Sequence, residues 1–340
     1  MLSINHKLSL KFAALSCLSF ITPSLFADDS GFRINGFANI VVGSTFDSDE
    51  STYGYDDTLD FGNESLFALQ FTKDMGDGLS ATAQVVSRAA QNYETEFAWA
   101  YLAYEMSDQT QIKFGRLRVP FYTYSEFVEV GYTYHWIRPP QTVYALPFDN
   151  ADGVNYSFTS SVGNWDSRLE LLYGRYNGIT TPGDIDSPSD LRDLTSVVWG
   201  LSQDEWSFRF AYTSCGECQI NVPLEQVLGF DLLGTLNQVG AGSTASRIAF
   251  DGDAGFFADI GARYDNGDWF VETELARLEV ENTFLGDNDY WYVTAGIRDE
   301  EFTWHFTVEN VNTESKEYDL SGVPPINIAP GLTLQDVVGG

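Results

Sequence analysis

Two arginines spaced two positions apart, Arg116 and Arg118, stand in the stretch Ile112–Val119. In an extended chain that spacing puts both on one face, with Leu117 and Val119 on the other. Arg88, Arg168 and Arg209 fall in phase on the polar faces of other alternating segments. After Pro120 comes a run to Gly153 with little strand periodicity. It is dense in Tyr, Phe and Trp, holds the step Pro139-Pro140, and carries Glu126, Glu129, Arg138, Asp149 and Asp152 on or beside it. A connection that long without regular structure is uncommon in a compact fold and is usually functional. Arginines facing acids make and break no bonds. They order water and sort solutes by charge and size, or they pair and pin a loop to a wall. The aromatics Tyr122, Tyr124, Tyr132, Trp136 and Tyr144 also have two readings: platforms on which sugars stack, or a small core by which the loop packs.

Other chemistry is thinly represented. Outside the leader described below, the histidines are His135 and His305, and no serine pattern marks a nucleophile, so no catalytic residues are assigned and no enzyme is expected. Cys215 and Cys218 form a lone CGEC. With no second pair and no neighbouring histidine this is a poor metal site, and a small-ring disulfide or two idle thiols remain open. No cofactor is expected. Asp47, Asp49, Glu50, Asp56, Asp57, Asp60 and Glu64 crowd one segment but lack the spacing of a calcium loop, and read as a solvated loop. A formal net charge of −31 excludes nucleic-acid binding through a basic face.

The first residues carry Lys7 and Lys11, an apolar run from Leu8 to Ile21, and an ending at Ala27. That is a secretory signal peptide over residues 1–27. Cys17 sits inside the apolar run rather than at its end, which disfavours lipidation. No other segment has the length of apolar sequence that a transmembrane helix needs.

From there to about residue 311 the pattern has period two. Thirteen segments alternate, among them LSATAQVVSR, WSFRFAYT, WFVETELARLEV and FTWHFTVENV. One face is apolar and often aromatic, as in Trp206, Phe208, Phe210 and Tyr212, or Phe302, Trp304, Phe306 and Val308. The other carries Ser207 and Arg209, Glu272 and Glu274, Thr303, His305 and Glu309. A soluble sandwich would alternate in the same way. The connections, however, alternate too: tight turns at one end, long loops at the other, including predicted loops from Arg175 to Leu194 and from Ser214 to about Gly255. The second of these contains a stretch, PLEQVLGFDLLGTL, with the pattern of a short amphipathic helix. Such asymmetry belongs to an outer-membrane barrel. Lipid gives an exposed sheet edge no hydrogen-bond partners, so a membrane sheet must close. The expectation is therefore an all-β, transmembrane antiparallel β-barrel over residues 28–340, with its long third outer loop folded into the lumen. Bacterial single-chain barrels have even strand numbers. Thirteen segments, followed by a Pro-rich stretch and TLQDVVGG, read as a chain lacking the last strands of about sixteen.

The run Gly115-Arg116-Leu117-Arg118-Val119-Pro120, with Tyr132, Trp136-Ile137-Arg138-Pro139-Pro140, Tyr144 and Asp149–Tyr156, resembles Gram-negative outer-membrane porins of the general or phosphate-selective type. The resemblance in motif covers about residues 112–158; in architecture it covers the chain beyond the leader. It implies a water-filled, homotrimeric channel for small hydrophilic solutes and ions in the cell outer membrane. It also implies outer-membrane lipid and lipopolysaccharide as surroundings, with no nucleic-acid partner. A channel preferring sugars or anions such as phosphate is the nearest alternative, and a soluble all-β carbohydrate-binding or adhesion domain the alternative of another class. Two features depart from the porin pattern: the terminal aromatic is absent, and without the two leader lysines only 16 of the 18 Lys and Arg remain for a basic ladder.

Overall fold

The alternating segments form strands joined in sequence order. The computed structural model describes residues 31–334 apart from 48, 50, 53, 182–184, 250, 282, 284–285, 317–322, 325–326 and 330–331. The expected signal peptide, residues 1–27, lies outside the described residues. The strands are β1 (Phe32–Asn39), β2 (Leu66–Gly76), β3 (Leu79–Arg88), β4 (Thr95–Ser107), β5 (Thr110–Arg118), β6 (Asn150–Val162), β7 (Trp165–Thr180), β8 (Ser187–Gln203), β9 (Trp206–Ile220), β10 (Asp251–Asp265), β11 (Trp269–Val280), β12 (Asp287–Arg298) and β13 (Thr303–Glu314). They make one 13-stranded antiparallel sheet in the order β1 to β13, each strand beside its sequence neighbours. Helices α1 (Leu224–Leu228), α2 (Leu232–Gln238) and α3 (Gly242–Ile248) fill the connection between β9 and β10. A small pair, β14 (Asn327–Ala329) and β15 (Leu332–Thr333), stands apart. Among the described residues no helix is long and apolar enough to cross a membrane, which says nothing about strands.

Two compact units divide the chain. One takes the residues up to Ala100 with Phe127–Ile137; the other takes Tyr101–Glu126 with the residues from Arg138 onward. In the first unit β2 and β3 are joined by Asp77-Gly78, both at positive φ, 51° and 78°. That is the backbone of a two-residue turn whose twist suits a hairpin, and Asp-Gly is the pair that tolerates it. Ala68, Val86 and Ala98 pack together on one face, while Phe67 and Phe97 are exposed.

In the second unit the distribution of burial inverts that of a soluble protein. Trp304 and Phe306 are 64% and 73% exposed, and Trp206, Phe210, Tyr212, Ile260, Leu275 and Ile297 are exposed with them. The opposite face holds Asp259 and Glu274, each 1% exposed, with Glu272, Thr213 and Thr294 also buried. The strand period sends alternate residues to opposite faces, so the exposed face is the apolar one and the covered face the polar one. What covers the polar face is the connection from β5 to β6, described below.

Two expected loops are shorter than the sequence indicates. β7 and β8 continue through most of residues 175–194, paired from Tyr176↔Leu191 to Thr180↔Ser187, with an irregularity between Gly174 and Tyr176. Pro188 reads as a loop signal, yet it sits opposite Ile179 within the ladder and its carbonyl accepts from the N–H of Asn221 at 2.9 Å. β9 likewise runs through the CGEC segment to Ile220, and Cys215 and Cys218 are joined by a disulfide. The expected helix over PLEQVLGFDLLGTL is two, α1 and α2, broken at Gly229 with φ 76°, and α3 follows. Leu232, Leu236, Ala241, Ala245 and Ile248 form their core.

Candidate functional site

In the second unit, β5 carries Arg116 and Arg118 on one face, directly across from the start of β6. Arg116 Nε and Nη2 donate to the two carboxylate oxygens of Asp152 at 3.0 and 3.3 Å, and Arg118 Nη1 pairs with Asp149. This corrects one expectation. Asp152 belongs to β6, opposite Arg116 in the register, and is not a residue of the inserted loop. The Arg116–Asp152 pair therefore runs between neighbouring strands of the wall, while Arg118 reaches Asp149 at the end of the loop, just before β6. A strand boundary placed four residues too late caused the misplacement: β6 starts at Asn150, inside the segment DNADG whose composition reads as turn.

The loop attaches by a different set of contacts. Arg209 on β9 donates to the carbonyls of Pro120 and Phe121, the latter at 2.9 Å, and to Asp259 on β10 at 2.9 Å. Glu274 on β11 accepts from the backbone N–H of Thr123 at 2.8 Å and from the Tyr144 hydroxyl at 3.1 Å. Glu272, two residues along the same face, accepts from the Tyr124 hydroxyl at 2.8 Å. On β13, Glu309 accepts from the N–H and hydroxyl of Thr142 at 3.2 and 2.6 Å. Besides the expected pairs of wall arginine with loop acid, Arg118 with Asp149 and, in the first unit, Arg88 with Glu129, most loop groups here donate and wall carboxylates accept. Burial pushes the Tyr124 and Tyr144 hydroxyls up, and the adjacent carboxylates of Glu272 and Glu274 add to the shift, so both phenols stay protonated and serve as donors. Gly261 on β10 makes the close approach possible, since a Cβ there would lie 2.9 Å from Thr123 Oγ1.

Aromatic packing completes this anchor. Tyr122 stacks on Tyr144 with ring centres 4.4 Å apart and meets the edge of Phe257 at 5.0 Å. Phe121 meets Phe148 and Phe257 edge-on at 5.2 and 5.4 Å. Of the five stacking candidates, Tyr122, Tyr124 and Trp136 are buried, Tyr144 is half-buried, and Tyr132 is exposed. In the second unit the buried rings thus pack the loop stem on itself and on the wall at Phe257.

The other candidates separate. In the first unit Arg88 binds Glu129, at both Nε and Nη2, and also Glu96; the carbonyl of Glu129 accepts from Asn39 at 2.8 Å. Trp136 packs there against His135 and Tyr134. In the second unit Arg168 pairs with Glu170 at 2.6 Å, Glu126 is exposed and Arg138 is half-buried. Sequence reasoning missed Asp259 and Arg263, and recognised Glu272 and Glu274 only as polar-face residues. Their alternation with Val271 and Leu275 was the available signal; the loop partners were not visible in it. Among the described residues no cluster of His, Cys, Asp and Glu is arranged to hold a metal ion.

No protein-family model and no curated protein matches the chain. Solved structures that it is similar to include OmpT, an outer membrane protein of Vibrio cholerae, at 11% identity and a TM-score of 0.41, covering 86% of this chain and 90% of that one. Salmonella typhi OmpF in complex with daunomycin is 13% identical with a TM-score of 0.47, covering 84% and 81%. The outer membrane channel DcaP of Acinetobacter baumannii is 11% identical with a TM-score of 0.47, covering 85% and 82%.

Proposed function

We propose that this chain is a porin: an outer-membrane channel through which small hydrophilic solutes and ions diffuse passively. The observation that carries the reading is the inverted burial in the second unit, with Trp304 and Phe306 exposed on one face and Asp259 and Glu274 covered on the other. Exposed aromatic and aliphatic side chains on strand after strand are unfavourable in water, at about 25 cal/mol for each Å² of apolar surface, and are at rest in lipid. A soluble carbohydrate-binding sandwich would bring those faces together instead. A sheet in lipid must be closed, and the reading includes that closure.

The inserted loop then narrows the channel from the polar face. Residues 120–126 and 142–144 bind wall groups there, which supports a constriction lined by Arg116, Arg118, Arg168 and Arg209 in this unit. Arg88 and Glu129 hold residues 127–137 in the other unit. Each of those guanidiniums is already in contact with a carboxylate, which favours a weakly selective channel over a phosphate-selective one. Assembly as a homotrimer in lipopolysaccharide-containing membrane is part of the proposal, as is the absence of enzymatic activity.

The test is reconstitution into planar bilayers. Stepwise conductance increases of constant size in potassium chloride are expected, and cross-linking in detergent should give a trimer. Protein that stays dispersed in buffer without detergent and adds no conductance would overturn the reading.

A further inference from the structure

At the tight-turn end of β7–β12 the second unit has an open-sided cavity of about 340 Å³. Thr123 and Tyr124 of the loop stem border it, and its size lies within the range of small-molecule sites, about 300–1,000 Å³. Five charged side chains on four strands line it besides Glu170: Asp166 and Arg168 on β7, Arg209 on β9, Arg263 on β10 and Glu272 on β11. Most are committed. Arg209 holds the loop carbonyls and Asp259. Arg263 holds Asp265 at 2.6 Å, reaches the Tyr124 hydroxyl at 3.4 Å and faces Glu272 at 3.7 Å.

Arg168 and Asp166 differ. Arg168 spends Nε on Glu170, while its side chain lines the cavity and remains 48% exposed. Asp166 is exposed, and its carboxylate enters no hydrogen bond or ion pair among the described residues. The two stand two positions apart on one strand, so their Cα atoms are separated by about 7 Å and project to the same face. A rigid strand thus offers one anion acceptor and one cation acceptor at fixed spacing, beside Tyr124 and the apolar surface of Val198.

We propose that this cavity binds a small zwitterion whose ammonium and carboxylate are several bonds apart, such as a dipeptide or an ω-amino acid. The carboxylate meets the Nη pair of Arg168 and the ammonium meets Asp166. An α-amino acid carries its charges too close together to satisfy both. A simple anion meets Arg168 but is repelled by Asp166, and a neutral sugar leaves both charges desolvated without a partner. The proposal rests on the channel reading, because the channel is the route by which such a solute reaches the cavity.

The experiment has two arms. In the first, glycylglycine is added to single channels in planar bilayers, with acetate, propylamine and glucose as comparisons. Glycylglycine should reduce the ion current in a saturable way, and the comparisons should need at least tenfold higher concentration. Arg168→Gln and Asp166→Asn should each weaken the block by tenfold or more. Intact conductance with no saturable block by glycylglycine would overturn the site and leave the channel standing. In the second arm, calorimetric titration of the detergent-solubilised protein with glycylglycine reads binding without conduction. Absent heat in folded protein overturns the site even where no channel forms; saturable binding without conductance keeps the site and defeats the channel.

Discussion

The backbone N–H of Thr123 donates to Glu274 Oε1 at 2.8 Å across 151 positions of sequence. The same oxygen accepts from the Tyr144 hydroxyl, which itself accepts from the N–H of Tyr124 at 3.3 Å. One buried carboxylate therefore ties both ends of the inserted loop to β11. Replacing it, as in Glu274→Ala, removes two charge-assisted hydrogen bonds, each worth about 1.5–3 kcal/mol. Limited proteolysis should then cut within residues 120–126 or 138–149, and open-channel current noise should rise. A loop as resistant as in the unaltered protein would show that Glu274 is dispensable.

Arg209 and Asp259 test the opposite charge. The Asp259 side chain is fully covered, and Arg209 is its ion-pair partner at 2.9 Å. Arg209→Ala leaves that carboxylate buried without its cation, which costs about 3–5 kcal/mol. The temperature at which the protein loses its compact electrophoretic form should fall, and the pair Arg209→Met with Asp259→Leu should recover most of the loss. If the double variant is no better than the single one, the pair does not account for the effect.

Tyr124 and Tyr144 give a dependence on pH. Both hydroxyls are raised above their ordinary value by burial, so the unfolded or detached loop loses its protons first. The anchoring free energy is full below about pH 10, the ordinary tyrosine value, and declines as pH rises above it. Loop release, read from current noise or proteolysis, should begin above that pH. Tyr124→Phe with Tyr144→Phe should flatten the dependence; a release that persists unchanged in that variant would point to other groups.

Arg116 and Arg118 bear on selectivity. Removing both guanidiniums leaves Asp149 and Asp152 without those partners. Arg116→Ala with Arg118→Ala should shift reversal potentials across a salt gradient toward cations. Unaltered potentials would place the two side chains away from the ion path.

Gly153 tests the wall itself. It lies opposite Gly174, and a Cβ on it would sit 2.2 Å from the carbonyl oxygen of Tyr173. Backbone cannot yield as a flexible side chain does, so Gly153→Ala should lower stability by about 1–3 kcal/mol as overpacking generally does. Full-strength folding of that variant would mean that β6 and β7 can spread at this point.

The strands, their order and the two unlike faces were legible from residue types, because a period of two is a local property of the chain. Trp304, Phe306 and Glu274 announce their faces wherever the strand goes. The faces alone could not say which one is covered, since a soluble sandwich and a membrane wall share the pattern. Tertiary structure decided that, by exposing Phe306 and covering Glu274. It also decided the partners in the loop. Arg116 and Arg118 read as facing loop acids; Arg118 does meet Asp149, but strand register gives Arg116 its partner Asp152 on β6, and the loop is held by Glu272, Glu274, Glu309 and Arg209. Those contacts span tens to more than a hundred residues, and neither charge nor spacing in a linear chain encodes which distant groups a folded loop will meet.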